Sequence, residues 1–339
     1  MLKSFFLSKE YGPYAWFVGG IILFTLWYGV EILVFYNKWN REMMDSIQSL
    51  QEERFWMLFL GWDAERLYQL YTLRENTIPS FIEILATYVP ITTYGVWQTQ
   101  RYVFKWRQAN THYYLKRWEG CDAKIEGSSQ RIQEDLMVYG KTLQGLIAGI
   151  VTKVLVLVAF LPILWELSEG LPIWNGEFVP GFLVWVALTM SLGGTFVSVI
   201  LGWKLPSLEY ANQVVEARFR KRLVHSEDDF AQRAVADLFP MFEAVRKNYY
   251  RLFNWYMGFS VWQQAFGFVI GNLALLALAP SYFQQLITMG VLFQVLNAFG
   301  RVESSMTFFI DRWPTIVDFL SVIKRIREFD RALTESESK

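Results

Sequence analysis

Six apolar stretches of about 18 to 23 residues recur along the chain, each long enough at about 1.5 Å rise per residue to cross the roughly 30 Å hydrocarbon core of a bilayer. They run Tyr14–Tyr36, Ile78–Trp97, Leu143–Trp165, Phe178–Leu201, Gly258–Leu278 and Tyr282–Phe299. A helix satisfies its own backbone polar groups in lipid, and no segment shows the alternation of a strand. The pattern predicts an all-α membrane protein with six transmembrane helices. Two polar connections, Gln98–Thr142 and Gly202–Met257, keep helical spacing within them: Tyr102–Trp118 and Pro206–Leu223 carry apolar residues three to four apart with no internal Pro or Gly. The spans therefore extend as helices beyond the membrane. Breaks are expected at Glu126-Gly-Ser-Ser and at His225-Ser-Glu-Asp-Asp, where Ser226 and Asp229 have capping-box spacing, so a short transverse helix is expected over Ser226–Asp237. Residues 1–334 read as a single six-helix domain and 335–339 as a loose tail.

Composition fits this picture, with 53% hydrophobic residues and enough Trp and Tyr to furnish interfacial belts, as at Trp16, Trp27, Tyr28 and Tyr36 on the first span. Charge adds an orientation, because loops rich in Lys and Arg stay on the cytoplasmic side. The Gln98–Thr142 connection holds Arg101, Lys105, Arg107, Lys116, Arg117, Lys124, Arg131 and Lys141, and the Gly202–Met257 connection holds Arg218, Arg220, Lys221 and Arg222, whereas Glu166–Glu177 and Ala279–Gln285 have neither Lys nor Arg. Both termini then fall on the cytoplasmic side of a bacterial inner membrane, in accord with Lys324, Arg325 and Arg327. The short polar segment Met1–Glu10 leads directly into a full-length span, so no cleavable signal is expected. A net charge of zero argues against a nucleic-acid partner, and the single Cys121 excludes an intramolecular disulfide. With two histidines and one cysteine there is no metal-ligand spacing and no nucleophile triad, so no metal, no cofactor and no enzymatic activity are expected.

Carboxylates are the chemistry that remains. Glu209 and Glu216 are seven residues apart and Glu216 and Glu227 eleven, so one continuous helix would place all three on one face. Such a file can pass protons, since burial near other acids raises a carboxyl toward working pH. The ordinary alternative is that Glu216 pairs with Arg220 four residues on and Glu227 favours the start of the next helix. Within the spans, where charge is costly, Glu31 and Glu83 fall toward the outer leaflet as external proton-access candidates or as interfacial side chains. Lys153 lies near the middle of span three and requires a water-filled cavity or a carboxylate, for which Glu31 and Glu83 are candidates. Gly19-Gly20 and Gly193-Gly194 suit close helix contact.

Long cytoplasmic helix pairs between spans two and three and between four and five form the layout of an ABC-exporter membrane domain. No G-x-x-x-x-G-K-[ST] phosphate loop occurs, and only the residues after Phe299 follow the sixth span, so the motive power is not expected to be ATP bound by this chain. Most of the chain resembles the SbmA/BacA peptide transporters of bacterial inner membranes. The resemblance rests on Phe104-Lys-Trp-Arg-Gln-Ala, Ile125-Glu-Gly, Gln130-Arg-Ile-Gln-Glu-Asp, Ala159-Phe-Leu-Pro, Lys204-Leu-Pro, Leu208-Glu, Asn212-Gln, Val215-Glu-Ala, Arg220-Lys, Glu227-Asp-Asp and Ala244-Val-Arg-Lys-Asn-Tyr, in family order. It implies a homodimer of exporter-like fold that imports peptides on the proton gradient, with Glu134, Glu216 and Glu227 on the positions of a glutamate relay. Family members carry a further N-terminal membrane segment, so this chain reads as a trimmed version.

Departures from the family pattern mark where its chemistry changes. Thr142-Leu143-Gln144 stands where the family has Thr-Leu-Glu, and an amide carries no proton. His225 replaces a tyrosine two residues before Glu227, and an imidazole titrates near neutrality, so it either substitutes for the missing acid or is a solvated helix-end residue. Lys153 replaces a small residue, and Arg301 and Glu303 stand where the family has Gln and Arg. The expectation is a homodimeric carrier in the lipid bilayer, importing peptides or peptide-like antibiotics by proton-driven alternating access. A membrane subunit that borrows a separate ATPase is the first alternative, and a transport-inactive scaffold or channel the second.

Overall fold

The computed structural model describes residues 2–74, 77–120, 127–169, 179–228 and 235–337, and every regular element among them is helical. In chain order these are α1 (Leu2–Phe6), α2 (Gly12–Gln48), α3 (Glu52–Leu60), α4 (Ala64–Tyr71), α5 (Phe81–Glu119) and α6 (Ser128–Gln130). A π-helical turn, Arg131–Asp135, leads into α7 (Leu136–Glu169), followed by α8 (Phe182–Gly202), α9 (Leu205–Asp228), α10 (Val235–Phe283), α11 (Met289–Met306), α12 (Phe308–Asp311) and α13 (Trp313–Glu337). The last helix thus continues into the segment expected to be a loose tail.

Among the described residues, four helical stretches are long and apolar enough to cross a membrane: Gly12–Gln48, Ser128–Glu169, Phe182–Ser226 and Leu238–Phe283. Each exceeds one crossing. In the third, the apolar part is α8, and the polar α9 follows a turn at Trp203 and Lys204. The segments expected as spans two and six are helical but less apolar. Thr87, Pro90, Thr92, Thr93 and Tyr94 dilute α5, and Gln294, Asn297, Arg301 and Glu303 dilute α11. The sixth stretch also begins later than expected. Gln285 adopts a left-handed conformation at φ 59°, and the Thr288 hydroxyl accepts the Val291 N–H at 3.2 Å, starting α11 at Met289.

The chain forms two compact units. The first comprises residues 1–120, 140–192 and 268–308, and the second 121–139, 193–267 and 309–339. In the first, α11 is buried among its neighbours: Val295, Ala298, Phe299 and Val302 join Val30 and Val34 of α2 and Phe160 and Leu164 of α7 in one core. A helix enclosed by protein tolerates polar residues that a lipid-facing one would not, which accounts for α11's composition. Phe5 of α1 stacks on Trp106 of α5, and Tyr11 and His112 share a 3.0 Å hydrogen bond, holding the N-terminus on the same unit.

In the second unit Leu205, Leu252, Phe259 and Val317 make the core. The Trp313 indole donates to the Gly202 carbonyl at 3.3 Å, serving one of the acceptors left open at the end of α8. Gly194 lies against the Phe266 ring so closely that a Cβ there would collide with it, whereas Gly193 faces open space. The Gly-Gly pair therefore works through one member. Gly194→Val should lower the melting temperature of the detergent-purified protein by the equivalent of about 1–3 kcal/mol of overpacking. Adding Phe266→Ala should recover much of that loss, read by differential scanning fluorimetry.

Candidate functional site

Sequence motifs far apart in the chain converge in the second unit on one arginine. The π-helical turn Arg131–Asp135 carries the family-like Gln-Glu-Asp block and turns Glu134 to solvent and Asp135 inward, where it is fully buried. Arg325 of α13 grips Asp135 in a two-pronged ion pair, Nε to Oδ2 at 3.1 Å and Nη2 to Oδ1 at 2.6 Å. Arg131 donates to the same carboxylate at 2.9 Å. The remaining Arg325 Nη1 donates to Oε1 of Gln213 on α9. Because a guanidinium only donates, the Gln213 carbonyl must face it, and the amide nitrogen turns the other way. That nitrogen donates to Oε1 of Glu209 one helical turn back, at 3.4 Å.

Glu209 is thus the open end of a hydrogen-bonded chain that starts at Asp135. It sits beyond the apolar crossing formed by α8. Burial raises its carboxyl above the ordinary range and the charge of Asp318 raises it further, against weaker opposing pulls from Gln213 and Arg325. Asp318, an exposed residue of α13, is raised as well, by the partial desolvation of its carboxyl against its neighbours. The rim holds Lys324, its ammonium 3.4 Å from the centre of the Tyr210 ring, and the Tyr210 hydroxyl, which donates to Glu328 at 3.3 Å. Two acids with raised affinity for protons, next to a guanidinium already committed elsewhere, make a group suited to taking up and releasing a proton.

The other expected relay residues are placed as follows. α9 is unbroken from Leu205 to Asp228, so its geometry sets Glu209, Glu216 and Glu227 within about 20° of one another around the helix. Glu216 is half-buried; Glu227 lies on the helix with its side chain outside the described residues. His225 is exposed in the last turn. Glu134 is exposed and accepts from Gln130 at 3.2 Å. Ser226, expected to cap a new helix, lies inside α9 instead, and its hydroxyl donates back to the Arg222 carbonyl at 2.9 Å. Helix propensity through Arg220–Leu223 carries α9 past the expected break, and residues 229–234 of the expected transverse helix lie outside the described residues.

In the first unit, Glu83 is fully buried and does backbone work. Its carboxylate accepts the N–H groups of Asp63 at 2.7 Å and Ser80 at 2.8 Å and meets Arg66 at 3.4 Å, while the Ser80 hydroxyl accepts the Glu83 N–H. This is a complete capping box that starts α5. Glu31 is half-buried on α2. Lys153 donates to the Ser304 hydroxyl of α11 at 3.2 Å, and Glu303 beside it accepts from Thr307 at 3.3 Å. Gln144 lines an apolar cavity of about 300 Å³ together with Gly19, Gly20, Tyr102 and Trp106.

The sequence motifs mark Arg131, Asp135 and Gln213, but the partners that give them meaning, Arg325 and Asp318, lie more than a hundred residues away. Only the basic tail of α13 hints at them. The raised acids carry a sign that can be tested. A carboxyl whose folded-state affinity for protons exceeds its unfolded value near pH 4 adds stability below that pH, and the stability is lost as pH rises through the folded value. At pH 7 both acids therefore oppose folding. The double variant Glu209→Gln, Asp318→Asn should melt on the order of 2 °C higher than wild type at pH 7, with the gain shrinking toward pH 4.

Comparison with known proteins agrees with the motifs. The SbmA/BacA-like family profile matches residues 8–334. The chain is 26% identical to the inner membrane ABC transporter ATP-binding protein YddA of Escherichia coli, covering 99% of this chain and 60% of that protein. It is 25% identical to ABC transporter D family member 2, chloroplastic, of Arabidopsis thaliana, over 89% of this chain and 41% of the relative. An uncharacterized ABC transporter ATP-binding protein of Haemophilus influenzae is 26% identical over 82% of this chain and 46% of its own length. The chain thus spans less than two thirds of each of these relatives. With helices long and apolar enough to cross a bilayer and a family profile matched over nearly its full length, the chain belongs to the SbmA/BacA-like family.

Proposed function

We propose that the protein imports peptides or peptide-like compounds across the bacterial inner membrane by alternating access, as a homodimer driven by protons, with both termini cytoplasmic. The observation that carries this reading is the acid chain of the second unit. Glu209 and Asp318 hold protons more tightly than solvated carboxyls, and Glu209 is wired through Gln213 to the Arg325–Asp135 pair that joins α9, α13 and the π-helical turn. Protonation of Glu209 would change the charge facing that pair, which gives a proton leverage on the contact between helices. Glu216 and Glu227 extend the same face of α9 and supply the next steps of the path. Gln144, set in an apolar cavity, takes no part in proton transfer, and the relay runs through the remaining acids with His225 at its end. A second copy completes the cavity that one copy of an exporter-like domain leaves open.

A second reading is favoured by the names of the relatives, which are ATP-binding ABC transporters. In it the chain is the membrane part of a transporter powered by ATP bound on another polypeptide or segment. Six spans of exporter type serve either reading, so the energy source separates them.

Uptake of a labelled peptide into energised right-side-out vesicles tests this directly. Uptake should collapse with a protonophore and be indifferent to ATP, should fall at least tenfold in Glu209→Gln and in Glu216→Gln, and should come from a dimer by mass photometry in nanodiscs. ATP dependence with the protonophore present would establish the second reading. His225→Tyr should change the pH profile of uptake; superimposable profiles remove His225 from the path.

A further inference from the structure

Asn37 of α2 is 2% exposed, yet neither its amide nitrogen nor its amide oxygen has a hydrogen-bond partner among the described residues. A buried primary amide with both ends unserved is costly, and such a group ordinarily marks something that the bare chain lacks. The amide lines a cavity of about 530 Å³ in the first unit, shared with Lys38, Arg41, Gln294 and Glu166. That volume falls in the roughly 300–1,000 Å³ of small-molecule sites. Arg41, one helical turn beyond Asn37, reaches Gln294 Oε1 with Nη1 at 3.4 Å, while its buried Nε makes no hydrogen bond and stands 4.0 Å from Asp45. Glu42, also on the wall, is engaged by Arg54.

We propose that this cavity binds the C-terminal end of a short peptide, with Asn37 reading a peptide group and Arg41 the terminal carboxylate. A primary amide offers one acceptor and two donor hydrogens, which complements the N–H and C=O of a peptide unit. Guanidinium and carboxylate match in charge and geometry, and one turn of helix sets the two recognition groups about 6 Å apart, close to the span from a C-terminal carboxylate to the preceding peptide group. Lys38 adds positive charge on the same wall, and the exposed Glu166 opposes carboxylates that approach from its side. The site has a role in transport only on the importer reading above, since it would then be the first contact for cargo at the outer end of α2. Its binding chemistry stands without that reading.

The test is isothermal titration of the detergent-purified protein, with no gradient, using tetraalanine and its C-terminal amide. The free acid should bind at least tenfold more tightly than the amide. Asn37→Leu should weaken tetraalanine binding at least tenfold without lowering the melting temperature, because it removes an unserved polar group. Arg41→Gln, at a partly exposed position where folding is not at stake, should abolish the preference for the free acid. Absence of tetraalanine binding, equal affinity for acid and amide, or unchanged binding in Arg41→Gln would overturn the proposal and leave water as the occupant of the cavity. Binding that persists in a protein showing no gradient-driven uptake would uphold the site and refute the importer reading.

Discussion

Asp135 is a carboxylate without solvent, and a buried ion carries an effective desolvation penalty of several kcal/mol unless its lone pairs are fully served. Here they are served by three guanidinium contacts, two from Arg325 and one from Arg131. The arrangement joins the π-helical turn to α13, and through Gln213 to α9. Removing one partner of such a pair typically costs about 3–5 kcal/mol, because the other charge stays buried. Once Arg325 is committed to Asp135, its last N–H fixes the Gln213 amide, and that fixes which atom meets Glu209. That one buried pair fixes the hydrogen bond that Glu209 accepts, while burial and the neighbouring Asp318 raise the proton affinity on which the functional reading rests.

Much of this was legible in the sequence, and what was not has definite physical reasons. Apolar run length identified the helices of the crossings and α9's polar continuation, because burial in lipid leaves a strong periodic record. It overstated the apolar character of α5 and α11. There a run is partly enclosed by protein, as Val295, Ala298 and Val302 show, and polar residues are tolerated that would be excluded from a lipid-facing helix. Capping chemistry was ambiguous in both directions. Ser226 carries the spacing of a cap and lies inside a helix, while Ser80 and Glu83 form a cap that looked like an intramembrane charge.

The candidate site divided in the same way. Spacing alone placed Glu209, Glu216 and Glu227 on one face, since a helix converts sequence interval into angle. In the block holding Glu134 and Asp135 the sequence did not show which acid is buried: adjacent residues on a helical turn point in different directions, and only packing turns Asp135 inward and Glu134 to solvent. Arg325 was legible only as part of a basic tail and Asp318 not at all, because nothing local in α13 records a partner more than a hundred residues earlier. Asn37 reads as an unremarked polar residue at the end of an apolar run, and its significance appears only when the cavity around it is seen.

The central claim is that proton movement and cargo movement are one process in this protein. The direct test is to reconstitute it in liposomes containing a trapped pH-sensitive dye, with equal pH on both sides and no nucleotide, and to add peptide outside. The account predicts internal acidification that begins with peptide addition, scales with peptide taken up, and is lost in Glu209→Gln. Peptide uptake with no accompanying proton flux, or proton flux that ignores the peptide, would contradict it.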